Sequence, residues 1–141
     1  MVEDVVRNKI RSLMRSLERV RTKIPASADA LANDVDLQDI VVINLERAVQ
    51  QAVDIATYVI ADHGLRAPSG MADGFGILSE QGWISDATAS SMRAATGFRN
   101  IAVPEYDKLN WQIVYAIGTC LLYTSDAADD LPRSTTGRPL A

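Results

Sequence analysis

Four polar side chains, Asn44, Arg47, Gln51 and Asp54, sit at i, i+3, i+7 and i+10 in an otherwise apolar stretch. At about 100° per residue they share one face of a helix. Such a stripe lines a cleft, pairs across a dimer, or forms the solvated face of an amphipathic helix. On the first two readings Asp54 could orient a neighbouring basic group. A second set is basic: Arg7, Lys9, Arg11, Arg15, Arg19, Arg21 and Lys23. Residues 1–25 carry seven Lys/Arg against three Asp/Glu, while the whole chain has a formal charge of −4. That strip could meet phosphate or an acidic partner, or it could be a solvated helix face. Other chemistry is scarce. The one cysteine, Cys120, allows neither an internal disulfide nor a cysteine-based zinc site. The one histidine, His63, speaks against a histidine cluster and reads as a surface residue at a helix end. Trp83 and Trp111 read as core or interface anchors.

Helices must position these groups. The chain has 141 residues, 48% hydrophobic and 23% charged, as in one soluble globular domain. No apolar run reaches the ~18 residues that span a bilayer, and the charged start MVEDVVRNKI lacks the apolar core of a secretion signal. A reducing, cytoplasmic setting is therefore expected, with no membrane contact. Residues 3–24 repeat Val6, Ile10, Leu13, Leu17, Val20 and Ile24 at helical spacing, and Pro25 ends that helix. Residues 26–36 read as a loop. Asp36 is the expected N-cap of a long helix over about 37–61, with Leu45, Val49, Ala52, Val53, Ala56 and Val59 as its core stripe. HGLRAPSG (63–70) breaks it. A short helix near 71–81 stops at Gly82, and Ser85 caps a helix from Asp86 to about Arg99. The last helix is expected to begin near Tyr106 and to include Leu109, Ile113, Val114 and Ile117. No strand pattern competes, so the expectation is an all-α bundle of four to five helices.

The stretch CLLYTSDAADD (120–130) resembles a translated sequencing adapter, and PRST (133–136) a second fragment. Pro132, Pro139, Gly137 and the Ser/Thr cluster cannot continue a helix. Residues 1–119 are therefore read as the helical domain and 120–141 as a non-native tail, which shortens the last helix.

One segment carries a family likeness. GFRNIAVPEYDKLN (97–110) resembles the HEPN ribonuclease pattern RN-x-x-x-H-x-Y, with Arg99, Asn100 and Tyr106 in place and Pro104 at the histidine position. LQDIVVINLERAVQQAVDIA (37–56) looks like the family's long second helix, and FGILSEQGWIS (75–85) like its short helix and turn. The chain thus resembles a HepT-like toxin of the MntA/HepT type of toxin–antitoxin system, over most of residues 3–119.

That resemblance implies a HEPN-like bundle and a homodimeric, metal-independent endoribonuclease toxin. Its partners would be RNA and a nucleotidyltransferase (MNT-domain) antitoxin. The toxin would need no cofactor; ATP would enter through the antitoxin as AMP donor. Arg99 would stabilise the charge gathering on phosphorus, and Arg47 could position RNA. Tyr106 would be the residue that receives AMP. Pro104 occupies the place of the proton-transferring histidine and has neither a titratable proton nor a donor, so this copy is expected to cleave weakly or not at all. One base converts a histidine codon to a proline codon, which leaves a sequence error and natural inactivation both open. Arg99 has a plainer reading as a complement to a helix dipole, Tyr106 as a half-buried aromatic, and Asn100 either bonds phosphate or caps a helix. A non-catalytic HEPN module that partners a nucleotidyltransferase is the alternative function. A helical scaffold without a site is the third.

Overall fold

The computed structural model describes residues 2–102 and 109–129, with side chains for 3–98 and 109–122. Six helices make up the described residues: α1 (Val2–Lys23), α2 (Ala28–Ala32), α3 (Val35–Asp62), α4 (Asp73–Glu80), α5 (Asp86–Ala102) and α6 (Trp111–Asp129). No strand occurs among them, and no described helix is long and apolar enough to cross a membrane.

The sixth helix in the count is α2, in a segment expected to be a loop. Ser27 accepts a hydrogen bond from the Ala30 N–H at 3.1 Å, which satisfies one of the free first-turn donors. Leu31 anchors the turn in the core with no exposed surface. Gln38 then reaches back from α3, its Nε2 donating to the carbonyls of Leu31 and Ala32 at 3.0 Å each. Both carbonyls belong to the last turn, where helical amides run out, and the Leu31 carbonyl also accepts from the Asp34 N–H at 3.3 Å.

Two helix starts also differ from expectation. Asp34, not Asp36, caps α3: its Oδ1 accepts from the Leu37 N–H at 3.1 Å. Asp36 sits in the first turn, where a carboxylate offsets the helix dipole. For α6 the cap is Asn110, whose Oδ1 accepts from Gln112 and Ile113 at 3.0 and 3.4 Å. Leu109 therefore precedes the helix, although it packs against the core. Ser85 caps α5 as expected, accepting from the Thr88 N–H at 3.1 Å, and Gly82 after α4 adopts φ +74°. That left-handed turn favours glycine.

α3 is the central helix. Leu45, Val49, Val53, Ala56 and Val59 of the expected stripe are buried, and Ala52 packs against them half-buried. α1 lies along α3 and runs antiparallel to it: Lys9 meets Asp54, while Val20 and Leu45 both approach Gly118. A β-carbon at Gly118 would stand 3.2 Å from the Ile24 Cδ1, so α6 crosses this pair closely. The Tyr115 hydroxyl donates to the Pro25 carbonyl at 2.9 Å and ties α6 to the corner after α1. α6 extends past Thr119 to Asp129, and Leu121 and Leu122 are buried.

Candidate functional site

The polar stripe of α3 does not act as one surface. Asn44 is only 5% exposed, and its Nδ2 donates to the Ile40 carbonyl one turn back at 2.8 Å. Its amide is thus turned back onto its own helix. Arg47 is exposed and free to meet a partner molecule. Gln51 is half-buried, and its Oε1 is shielded from water with no hydrogen-bond partner among the described residues. Asp54 is half-buried too, and it is well occupied. It accepts from the Lys9 Nζ at 3.0 Å and from the Gln50 Nε2 at 2.9 Å.

Lys9 links the two sequence features. It leaves the basic strip of α1, pairs with Asp54 of α3, and lies 5.9 Å from the centroid of the Tyr58 ring. With side chains 25% and 32% exposed, the ion pair keeps much of its hydration and contributes at most about 1 kcal/mol. It marks one point of contact between α1 and α3, whose apolar faces are packed in the core. Of the other strip residues, Arg7, Arg11, Arg15, Arg19 and Arg21 are exposed and Lys23 is half-buried. Arg21 pairs with Glu18 at 3.4 Å.

Arg99 and Asn100 lie in the last turn of α5 by their backbone, and their side chains lie outside the described ones. Pro104 and Tyr106 lie outside the described residues altogether. α5 itself is well seated: Ala95, Thr96 and Phe98, just before the pair, are buried, and the Thr96 hydroxyl donates to the Met92 carbonyl at 2.8 Å. The packed part of α5 thus reaches Phe98, the residue just before the motif.

His63 is the C-cap residue of α3. Its Nδ1 sits 3.0 Å from the Val59 carbonyl, and its ring meets the Trp83 ring edge-on at 4.7 Å and 62°. Trp83 and Trp111 are both half-buried against the core.

A polar cluster that the sequence reading did not single out closes the 63–72 loop onto α4. Arg66 forks to both oxygens of Asp73 at 2.8 and 3.3 Å and to Glu80 at 3.2 Å. Ser69 donates to the same carboxylate from its N–H at 2.9 Å and its hydroxyl at 3.2 Å. The Arg66 hydrogen bond, and next the Ser69 N–H, hold the Asp73 pKa down at about 2. The bond to Asp73, and next the bond to Glu80, push the Arg66 guanidinium above its usual value. Arg66 and Asp73 are seven residues apart across a proline and a glycine, so no periodicity announces the pair. The cluster closes a loop; nothing in it is arranged to act on a ligand.

Comparison with known proteins supplies what the local geometry does not. The chain is 30% identical to the mRNA nuclease HepT of Shewanella oneidensis over 113 residues, which is 80% of this chain and 84% of that protein. The solved tri-AMPylated Shewanella oneidensis HEPN toxin, in complex with its MNT antitoxin, superposes with a TM-score of 0.78 at 28% identity. That match covers 88% of this chain and 92% of the toxin. A toxin–antitoxin structure with AMP-PNP superposes with a TM-score of 0.72 at 26% identity, covering 88% of this chain and 98% of the solved one. The all-α HEPN-like fold is therefore shown. The Ribonuclease HepT-like family model matches residues 8–122, and the chain belongs to that family.

Proposed function

We propose that this chain is the toxin half of a toxin–antitoxin pair, an endoribonuclease by descent that acts in the cytoplasm as a homodimer. The observation that carries the reading is the family match over residues 8–122 together with Arg99, Asn100 and Tyr106 at the motif's spacing. In the reaction the ribose 2′-OH attacks the adjacent phosphorus, without a metal, and the bond from phosphorus to the next nucleotide's 5′-oxygen breaks, leaving a 2′,3′-cyclic phosphate and a 5′-hydroxyl. The Arg99 guanidinium stabilises the charge that builds on phosphorus through parallel charge-assisted hydrogen bonds. A group titrating near neutrality must shuttle the proton, and Pro104 has none to offer. Loss of general acid–base catalysis lowers the rate by about 10²–10⁴, so this copy is impaired.

The antitoxin is a nucleotidyltransferase that moves AMP from ATP onto Tyr106, covering the site with bulk and phosphate charge. The toxin itself needs no cofactor. The AMP carried by the solved HEPN toxin supports this role. A second reading, favoured by Pro104, keeps the fold and the antitoxin surface but assigns no catalysis: a HEPN module that acts by binding its nucleotidyltransferase.

The test is Pro104→His, with Arg99→Ala added as a control. The histidine variant is expected to cleave RNA at least ~100-fold faster than the parent, from the lower bound for acid–base catalysis, and Arg99→Ala to remove the gain. Equal cleavage by parent and Pro104→His would sink the assignment of position 104. No cleavage by either protein would leave the binding-module reading standing.

A further inference from the structure

Arg7, Arg11, Arg15 and Arg19 repeat every four residues along α1, and all four are exposed. Among the described residues none of their guanidinium groups makes a hydrogen bond or an ion pair. The nearby carboxylates do not neutralise the row. Glu18 pairs with Arg21, and Glu3 and Asp4 occupy the first turn of α1, where they offset the helix dipole.

A helix face built only for water would interleave signs at i and i+4, because like charges there oppose helix formation. This face sets arginine next to arginine three times in succession, on a chain that is acidic overall. Four residues of helix rise about 6 Å and turn a net ~40°, so the row winds slowly around α1 and presents a like charge at a nearly even step, close to that of successive phosphates in an extended single strand. An acidic protein surface has no such period. The guanidinium also matches phosphate with a planar fork of donors.

We propose that α1 is a backbone track for single-stranded RNA, with Arg7, Arg11, Arg15 and Arg19 each meeting a phosphate. The inference rests on the ribonuclease reading and extends it: the track holds substrate beyond the reacting phosphate and takes no part in bond breaking. It reads charge, not sequence, so it adds affinity without selecting bases.

The experiment measures binding of a fluorescent 20-nucleotide 2′-O-methyl RNA, which cannot be cut through its 2′ position, to the full chain as salt is varied. Each phosphate contact on a single strand contributes about 0.7 to the slope of log affinity against log salt. Arg11→Gln/Arg15→Gln is therefore expected to lower the slope by about 1.4, with helix content by circular dichroism unchanged. An unchanged slope in a variant of unchanged helix content overturns the proposal. If the slope is unchanged and that variant loses its complex with a nucleotidyltransferase antitoxin, α1 is a protein-docking face instead. If the parent chain itself binds no RNA at low salt, the ribonuclease reading fails and the track with it.

Discussion

Asp73 is held by two donors of different kinds, the fork of Arg66 and the amide of Ser69. Both favour its charged form, so its pKa falls from 3.8 to about 2. A carboxyl depressed in the folded state stabilises the fold above its unfolded value, and that contribution is lost as pH falls through the folded value. The parent chain should therefore lose more stability between pH about 4 and about 2 than Asp73→Asn. Urea midpoints of the two proteins across that window check it; parallel curves would mean that Asp73 does not titrate as described. The carboxylate is too open to water for a large effect. Single residues also divide by how far sequence could place them. Arg47 and Asn44 look alike on a helical wheel, yet one is exposed and the other is buried on its own helix. The wheel gives angle and not depth. The shielded oxygen of Gln51 and the Arg66 fork depend on the packing of distant segments, which periodicity does not encode.

At the scale of elements, the long helices were legible because their apolar positions recur over several turns. α2 was not, since five residues give less than two turns of period. Its existence depends on Ser27, Leu31 and the side chain of Gln38 acting together. The Asp34 and Asp36 pair shows a related limit. Both are good capping residues, and only the direction of the chain leaving α2 decides which one faces the free amides. The choice has a measurable result. Asp34→Ala should cost about 1 kcal/mol of stability, whereas Asp36→Ala loses only a dipole contribution, a few tenths of a kcal/mol. Equal losses in denaturant unfolding would contradict the assigned cap. The motif segment shows the opposite balance: Arg99, Asn100 and Tyr106 were found by likeness in sequence, and the helix end that carries the first two follows from the buried residues before them.

For the whole molecule, the bundle closes through α6. Leu121 and Leu122 are 6% and 8% exposed, and the family match reaches residue 122. Both leucines stand in the adapter-like stretch after residue 119, yet they pack into the core. Leu121→Ala should destabilise the protein by about 2–5 kcal/mol, as expected for a leucine removed from a packed core. Thermal unfolding would show it. A change within ~0.5 kcal/mol, typical of a surface substitution, would show that Leu121 adds nothing to the core. The overall fold was legible from the helical repeats alone. The function was not, because an arginine, an asparagine and a phenol are ordinary surface residues until a family pattern orders them.

The edge-on meeting of His63 and Trp83 offers a use of a different kind. An indole beside an imidazole changes its emission when the ring moves away, and the chain has one other tryptophan, Trp111. In a Trp111→Phe background the remaining fluorophore would watch a single corner of the molecule, where the central helix ends and the following segments fold back. Its brightness would follow the fraying of that corner in real time, without an added dye, and would separate a local opening from the collapse of the whole bundle.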